Sequence, residues 1–371
     1  VFAAEMERIF LRRWICAGRE EQIPFPGDGF ARDVGSESAL VVRAENGEIR
    51  AFHNVCRHRG ARICEGPAGH FGGAIRCPYH AWTYGLDGGL RRAPGMEGVA
   101  GFEASQHPLL PVGVARWEGF IFLWMDGEPV SFEETHAPIL ARFARWRMPH
   151  LETVQRIDYE VRANWKLIVQ NYSECLHCPP VHPSLVRLTP ADSGRNDLTE
   201  GPFLGGWMEL RRAESMTLSG RACAPPIRGL PRKDLRRVYY YALFPNLLLS
   251  LHPDYVMVHT LWPVAPGLTR VECAWMFEPD SAARPEFDPD DAVGFWDRTN
   301  REDWSVCERA QRGMQSRAFR QGPYSPREVL CAAFDREVLR ALGLSSPAEW
   351  PSLWGAGPCA GRPHEERDCS R

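Results

Sequence analysis

A surplus of basic charge is missing from this sequence. Its 44 Lys and Arg face 47 Asp and Glu, a net charge of −3, so the balance gives no reason to expect a nucleic-acid partner. Long apolar runs are missing too. A membrane-spanning helix needs about 20 apolar residues, and the best stretch, Leu243–Leu251, is interrupted by Pro245 and Asn246. Residues 1–14 carry Glu5, Glu7, Arg8, Arg12 and Arg13 among their apolar positions, which does not fit a secretory leader. A cytoplasmic protein with no membrane contact is therefore expected. No Gly-x-Gly-x-x-Gly follows an expected strand, so the chain offers no evident nicotinamide or flavin site of its own. Internal repeats are absent. A hydrophobic content of 44% and an aromatic content of 11% exclude global disorder. Cysteine is abundant, with 12 residues too scattered for a small disulfide scaffold. In a reducing compartment most are expected as free thiols.

Patterning divides the chain. Phe2, Met6, Ile9 and Phe10 form a helical stripe. Ala39–Arg43 and Ile49–Asn54 then flank Asn46-Gly47, a strong hairpin signal. Ala81–Leu86 runs into an Asp87-Gly88 turn, and Val112–Trp117 and Phe120–Met125 make a further strand pair. From about Ser131 the texture changes. Asn164 can cap a helix running from Trp165 to about His177. Strands are expected at Gly206–Leu218, Arg237–Phe244, Leu247–Leu251, Tyr255–Pro263 and Arg270–Phe277. A long helix should start at Asp288-Pro289 and run to about Gly313, and a last one should span Pro326 to Leu342. The expected fold class is α+β. It comprises an N-terminal helix (1–20) packed on the second domain, an all-β domain (21–130), a domain with an antiparallel sheet flanked by helices (131–354), and a loose tail (355–371).

Two constellations have metal-ligand spacing. Cys56-Arg57-His58 is a C-x-H pair and Cys77-Pro78-Tyr79-His80 a C-x2-H pair, with residues 59–76 between them. Both fall at the ends of expected hairpin arms, where two loops can close on one object. Two thiolates and two imidazoles suit Zn²⁺. They also suit a Rieske [2Fe–2S] centre, with two Cys on one iron and two His on the other. The order favours the cluster, because each loop supplies one Cys and one His, whereas zinc fingers usually pair C-x2-C with H-x3-H. Zinc is the alternative.

The second constellation follows Asn171 in Glu174-Cys175-Leu176-His177-Cys178-Pro179-Pro180-Val181-His182. On an unbroken helix, His177 and His182 would lie about 140° apart around the axis. Pro179 and Pro180 break the helix between them, so the second His can fold back beside the first. Two His invite a carboxylate to complete the facial triad of non-haem Fe(II). Asp303 is the candidate. On the expected long helix it shares a mostly apolar face with Trp296, Asn300 and Cys307, while Glu302 points to the opposite, charged side. Asp297 and Glu308 are weaker candidates. Cys175 and Cys178 are expected to be small buried fillers, not paired with each other.

Cys56-Arg57-His58-Arg59-Gly60, with Cys77-Pro78-Tyr79-His80-Ala81-Trp82-Thr83-Tyr84-Gly85, resembles the cluster motif of the Rieske ring-hydroxylating oxygenase alpha subunits. The match extends from the first helix to about Leu342. The resemblance implies a Rieske domain followed by a catalytic domain with mononuclear iron. By it, Cys56, His58, Cys77 and His80 hold the [2Fe–2S] cluster, and His177, His182 and Asp303 hold Fe(II). In that family the two His follow an acidic residue by three and eight positions, and Glu174 stands there. Many members have Asp at that place. Glu marks a subgroup resembling the oxygenases of quaternary amines of the glycine betaine, stachydrine and carnitine type. The resemblance further implies that Glu174 bridges His177 to the partner subunit's His80 in a ring-shaped homotrimer, and that Asn171 matches an Asn beside the iron.

The implied activity is that of an oxygenase component. It would use O₂ and electrons from NAD(P)H, delivered by a separate reductase with or without a ferredoxin, on a small organic substrate. Trp207, Tyr239, Tyr240, Tyr241 and Tyr255 lie in or near strands that could line its pocket. Their faces could bind a quaternary ammonium by cation–π attraction, for hydroxylation or oxidative N-demethylation. Hydroxylation of an aromatic or other apolar compound is the alternative. From other classes, a Rieske electron carrier without oxygenase activity and a zinc-stabilised binding protein also fit the cluster residues alone.

Overall fold

The computed structural model describes residues 1–66, 68–284 and 287–344; the tail expected from Gly355 lies outside them. The first part of the chain builds a seven-stranded antiparallel sheet. Its spatial order is Ile15–Arg19, Phe120–Trp124, Pro111–Trp117, Ile49–His53, Glu37–Arg43, Asp28–Val34, Gly69–His70. Asn46-Gly47 makes the expected turn, with Gly47 at a φ of 85°, a left-handed backbone that costs glycine little. A smaller sheet of Ala74–Arg76, Thr83–Gly85 and Leu90–Arg92 packs on it, Ile75 and Tyr84 meeting Leu40, Val42 and Phe52. Residues 77–80 cap the first hairpin of that smaller sheet.

The second part is organised on another seven-stranded antiparallel sheet. Its order is Glu152–Val161, Leu268–Phe277, Val256–Ala265, Leu247–Leu251, Arg237–Leu243, Phe203–Glu209, Arg195–Leu198. Side chains alternate between its faces with period two. One face, with Val238, Ala242, Leu248 and Met257, meets the helices Trp165–Tyr172, Asp290–Met314 and Val329–Ala341. The other, with Tyr239, Tyr241, Leu249 and Val258, meets Phe143, Trp146 and the first sheet's Trp117 and Phe120. No helix among the described residues is long and apolar enough to cross a membrane.

Several elements differ from expectation. The strand expected at Gly206–Leu218 is Phe203–Glu209, because the chain leaves the sheet where Arg212 adopts a positive φ. The edge strands Glu152–Val161 and Arg195–Leu198 were not foreseen, since edges half open to water need no hydrophobic run. The helix from Trp165 ends at Tyr172, not near His177, and the Ser173 hydroxyl donates back to the Val169 carbonyl. Pro179 and Pro180 therefore do not interrupt that helix. They sit in the first turn of a new one, Cys178–Val181, where a missing N–H costs nothing. The last helix begins at Val329, three residues after Pro326.

The N-terminal residues pack on the second sheet's helices. Phe10 stands edge-on to Trp165 at 5.2 Å, and buried Glu5 accepts from the indole of Trp165 and the ammonium of Lys166. Between the two large sheets, Arg32 pairs with Glu272 at 2.7 Å and lies over Trp262. Asn246, 1% exposed, clasps Cys16 by accepting from its N–H (2.9 Å) and donating to its carbonyl (3.0 Å). Asn246→Ala leaves two buried backbone groups unpaired, at a cost of about 1–3 kcal/mol each. It should lower the thermal unfolding midpoint by several degrees. An unchanged midpoint in calorimetry would show that the clasp does not join the sheets.

Candidate metal centres and their cavity

The two Cys-His loops are built alike. In each, the residue four after the Cys donates its N–H back to the Cys carbonyl: Gly60 to Cys56 (3.0 Å) and Ala81 to Cys77 (3.1 Å). Both take a positive φ, 70° and 59°, and for Ala81 that is a strained conformation held by its surroundings. Cys56 and Cys77 are buried, and burial pushes the Cys77 thiol up. The His58 and His80 rings lie 4.8 Å apart, and His58 stacks on Trp82. Among the described residues His58 Nδ1 is buried without a hydrogen-bond partner, as a ring nitrogen meant for a metal would be. Tyr84 props the first loop: its hydroxyl accepts the Arg57 N–H at 3.0 Å and lies 3.3 Å from Cys56 Sγ.

His177, His182 and Asp303 come together from the new turn and the long helix. They alone among the described residues bring three possible ligand atoms within 4.8 Å of one another. Asp303 Oδ1 lies 3.2 Å from His177 Nε2 and 2.8 Å from His182 Nε2. The Nδ1 of each ring meets a second carboxylate: Glu174 at 2.6 Å for His177 and Glu302 at 2.7 Å for His182. Asn171 Nδ2 is 3.4 Å from His177 Nε2. Burial disfavours a charged His177, but Asp303 and Glu174 outweigh it and raise its pKa to about 9. Burial likewise works against an ionised Asp303, but the two imidazoles hold its pKa below the usual carboxylate value. A divalent cation can replace the protons on the two Nε2 atoms while each Nδ1–H stays with its carboxylate.

Glu302 corrects the expectation that it points away. Its side chain curls from the helix to His182, since a Glu next to Asp303 needs only its own length to reach round. Two ligand imidazoles call for two outer carboxylates, and that count was the available signal. Cys175 and Cys178 also differ: the turn over Glu174 brings their Cα atoms to 4.9 Å, and they are joined as a disulfide flanking His177. The weaker candidates fall elsewhere, Asp297 accepting from Tyr159 and Arg301 and Glu308 from the Arg162 N–H.

A cavity of about 80 Å³ opens beside the triad, walled by Tyr172, Met208, Tyr240 and Trp296. It shares Tyr172, Glu174, Met208 and Tyr240 with a cavity of about 510 Å³ leading outward. Of the five aromatics expected here, only Tyr240 and Trp207 line either space. Tyr239 and Tyr241 alternate to the opposite face, and the Tyr255 hydroxyl is spent on the Met216 carbonyl. Tyr172 and Trp296, on helices, were missed.

Two candidate metal-ligand sets, one in a β-domain and one under an antiparallel sheet, are the arrangement of a Rieske-type oxygenase. Residues 13–103 match the Rieske [2Fe-2S] domain, and residues 148–344 match the ring hydroxylating alpha subunit catalytic domain. The chain belongs to the family of ring-hydroxylating alpha subunits and is an oxidoreductase that incorporates oxygen from O₂, with a Rieske cluster domain and a non-haem iron domain. It is 32% identical to the glycine betaine monooxygenase oxygenase subunit of Chromohalobacter salexigens, over 88% of this chain and 79% of the relative. It is 29% identical to the carnitine monooxygenase oxygenase subunit of Acinetobacter baumannii, over 86% and 84%. The solved structure of a quaternary ammonium Rieske monooxygenase, described for carnitine oxidation and inter-subunit electron transfer, superposes with a TM-score of 0.78 at 26% identity, covering 91% of each chain.

Loss of an outer carboxylate typically weakens metal binding about 10–100-fold. Glu302→Ala should therefore weaken Co²⁺ or Fe²⁺ binding at the triad by about tenfold or more, read by metal titration, while the visible spectrum of the cluster stays. Unaltered metal affinity would remove Glu302 from the site.

Proposed function

We propose that this chain oxidises an N-methylated amine, a quaternary ammonium above all, with electrons from NAD(P)H brought by a separate reductase. The observation that carries this reading is the lining of the inner cavity. It contains the carboxylates of Glu174 and Asp303, the rings of Tyr172, Tyr240 and Trp296, and, among the described residues, no Lys or Arg. Such a space favours a cation with apolar substituents, through charge and cation–π attraction. The names of the relatives point to the same substrate class.

In this reading Cys56, His58, Cys77 and His80 hold the cluster, and His177, His182 and Asp303 hold the iron. When bound, the iron supplies O₂ activation and the cluster stores one electron at a time. Glu174 and Glu302 keep each imidazole turned with Nε2 inward. Asn171 stands beside His177 at the open side. Tyr240, whose hydroxyl is buried and unpartnered, stays a neutral aromatic wall, since burial keeps its pKa well above the usual value. One oxygen atom enters an N-methyl C–H bond and the other leaves as water, with two electrons from the reductase and two protons from solvent. The hydroxymethyl amine then releases formaldehyde. Glu174 also links His177 to the partner subunit's His80, within a homotrimer.

The test is anaerobic purification, metal analysis and turnover with a reductase against methylated amines and aromatic hydrocarbons. About three irons per chain and formaldehyde from an amine are expected. Hydroxylated aromatics with no formaldehyde from any amine would overturn the substrate reading. Glu174→Ala should weaken iron binding as Glu302→Ala does, and with the triad resaturated by excess Fe²⁺ it should still lose turnover. Full activity in that variant would end the bridging role.

A further inference from the structure

The outer cavity adds positive charge to its lining beside the carboxylates of Glu174 and Asp192. Arg195 and Arg327 supply it, from the edge strand Arg195–Leu198 and from the segment before the last helix. Both guanidinium groups are pinned to one short loop. Arg195 Nη1 donates to the Gly194 carbonyl at 2.7 Å, and Arg327 Nη2 to the Ala191 carbonyl at 3.1 Å. Neither forms an ion pair among the described residues; Asp192, which also lines this cavity, meets Arg195 through its main-chain carbonyl at 3.5 Å. Two guanidinium groups held to one loop and outside any ion pair offer charge-assisted donors to an anion.

We propose that Arg195 and Arg327 receive the carboxylate of a zwitterionic substrate whose methylated ammonium lies against Tyr240, Trp296 and Glu174. This rests on the amine reading above and narrows its substrate class to betaines: N-methylated ammonium carboxylates. Arg195 and Arg327 line only the outer cavity, whereas Trp296, His177, His182 and Asp303 line only the inner one, so a dipolar molecule spanning both sets its N-methyl end at the triad. A choline-like cation without an anionic end gains nothing from the two arginines. The outer cavity's volume of about 510 Å³ also leaves room for a spacer between the charges.

The test is calorimetric binding of glycine betaine and gamma-butyrobetaine, each against its own methyl ester, to the iron-loaded holoenzyme and to the R195Q/R327Q double variant. Both positions are exposed, so the substitutions leave the fold intact. Exposed ion pairs are individually weak, so the preference of the wild type for at least one acid over its ester should be about tenfold. It should fall to near unity in the double variant. Equal affinity of acid and ester for the wild type, or an undiminished preference in the variant, would overturn the carboxylate assignment while leaving the amine reading intact. Absence of binding by acids and esters alike would overturn the amine reading and this proposal with it.

Discussion

The catalytic half of the protein depends on two hydrogen bonds between an imidazole and a carboxylate. Glu174 takes His177 Nδ1 and Glu302 takes His182 Nδ1. With those nitrogens committed, each ring has only Nε2 to offer, and both Nε2 atoms face one oxygen of Asp303. Without the outer carboxylates the rings could exchange tautomers and swing, and three side chains would not amount to a ligand set. The surrounding fold serves this arrangement. Glu174 is fixed by accepting the N–H groups of Leu176 and His177. Glu302 and Asp303 are adjacent on a 25-residue helix whose buried face, with Trp296, Asn300, Trp304 and Cys307, anchors it against the sheet.

Legibility in the sequence followed the range of the interaction. The Cys-His pairs and the His177–His182 pair stand out in the sequence because their members lie a few residues apart, and the structure brings the latter pair together with Asp303. Asp303 could be read from helical periodicity, since a carboxylate on an apolar face must be partnered. Glu302 could not, because periodicity gives the direction of a Cα–Cβ bond and not where a three-carbon side chain ends. The end of the helix at Tyr172 was hidden for a similar reason. Ser173 stops it through a local side-chain bond, while the more visible prolines start the next turn. Among the aromatics, Tyr239-Tyr240-Tyr241 reads as one cluster, but the pleat sends the middle ring alone toward the triad.

The first half solves a different problem. A cluster held by two loops requires both loops to keep their shape when their ligands are charged thiolates. Backbone hydrogen bonds do that here. Each loop closes on its own Cys carbonyl through a residue in the left-handed region, glycine in one and alanine in the other. Trp82 stacked on His58, and Tyr84 against Cys56, fill the space behind. The loops are thus closed by the fold's own backbone bonds.

The bonding capacity of Glu174 fits the link between subunits proposed for it. A carboxylate has about four lone-pair sites. Oε2 serves the Leu176 and His177 amides, and Oε1 serves the His177 ring. Three commitments hold the group rigid on the inner side and leave about one site for a donor arriving from outside. A fourth internal partner would have closed that approach, and fewer would have let the carboxylate rotate away from the ring. An imidazole N–H at the remaining site would meet an acceptor already aligned with His177, so an electron crossing there would need no rearrangement of the side chain between them.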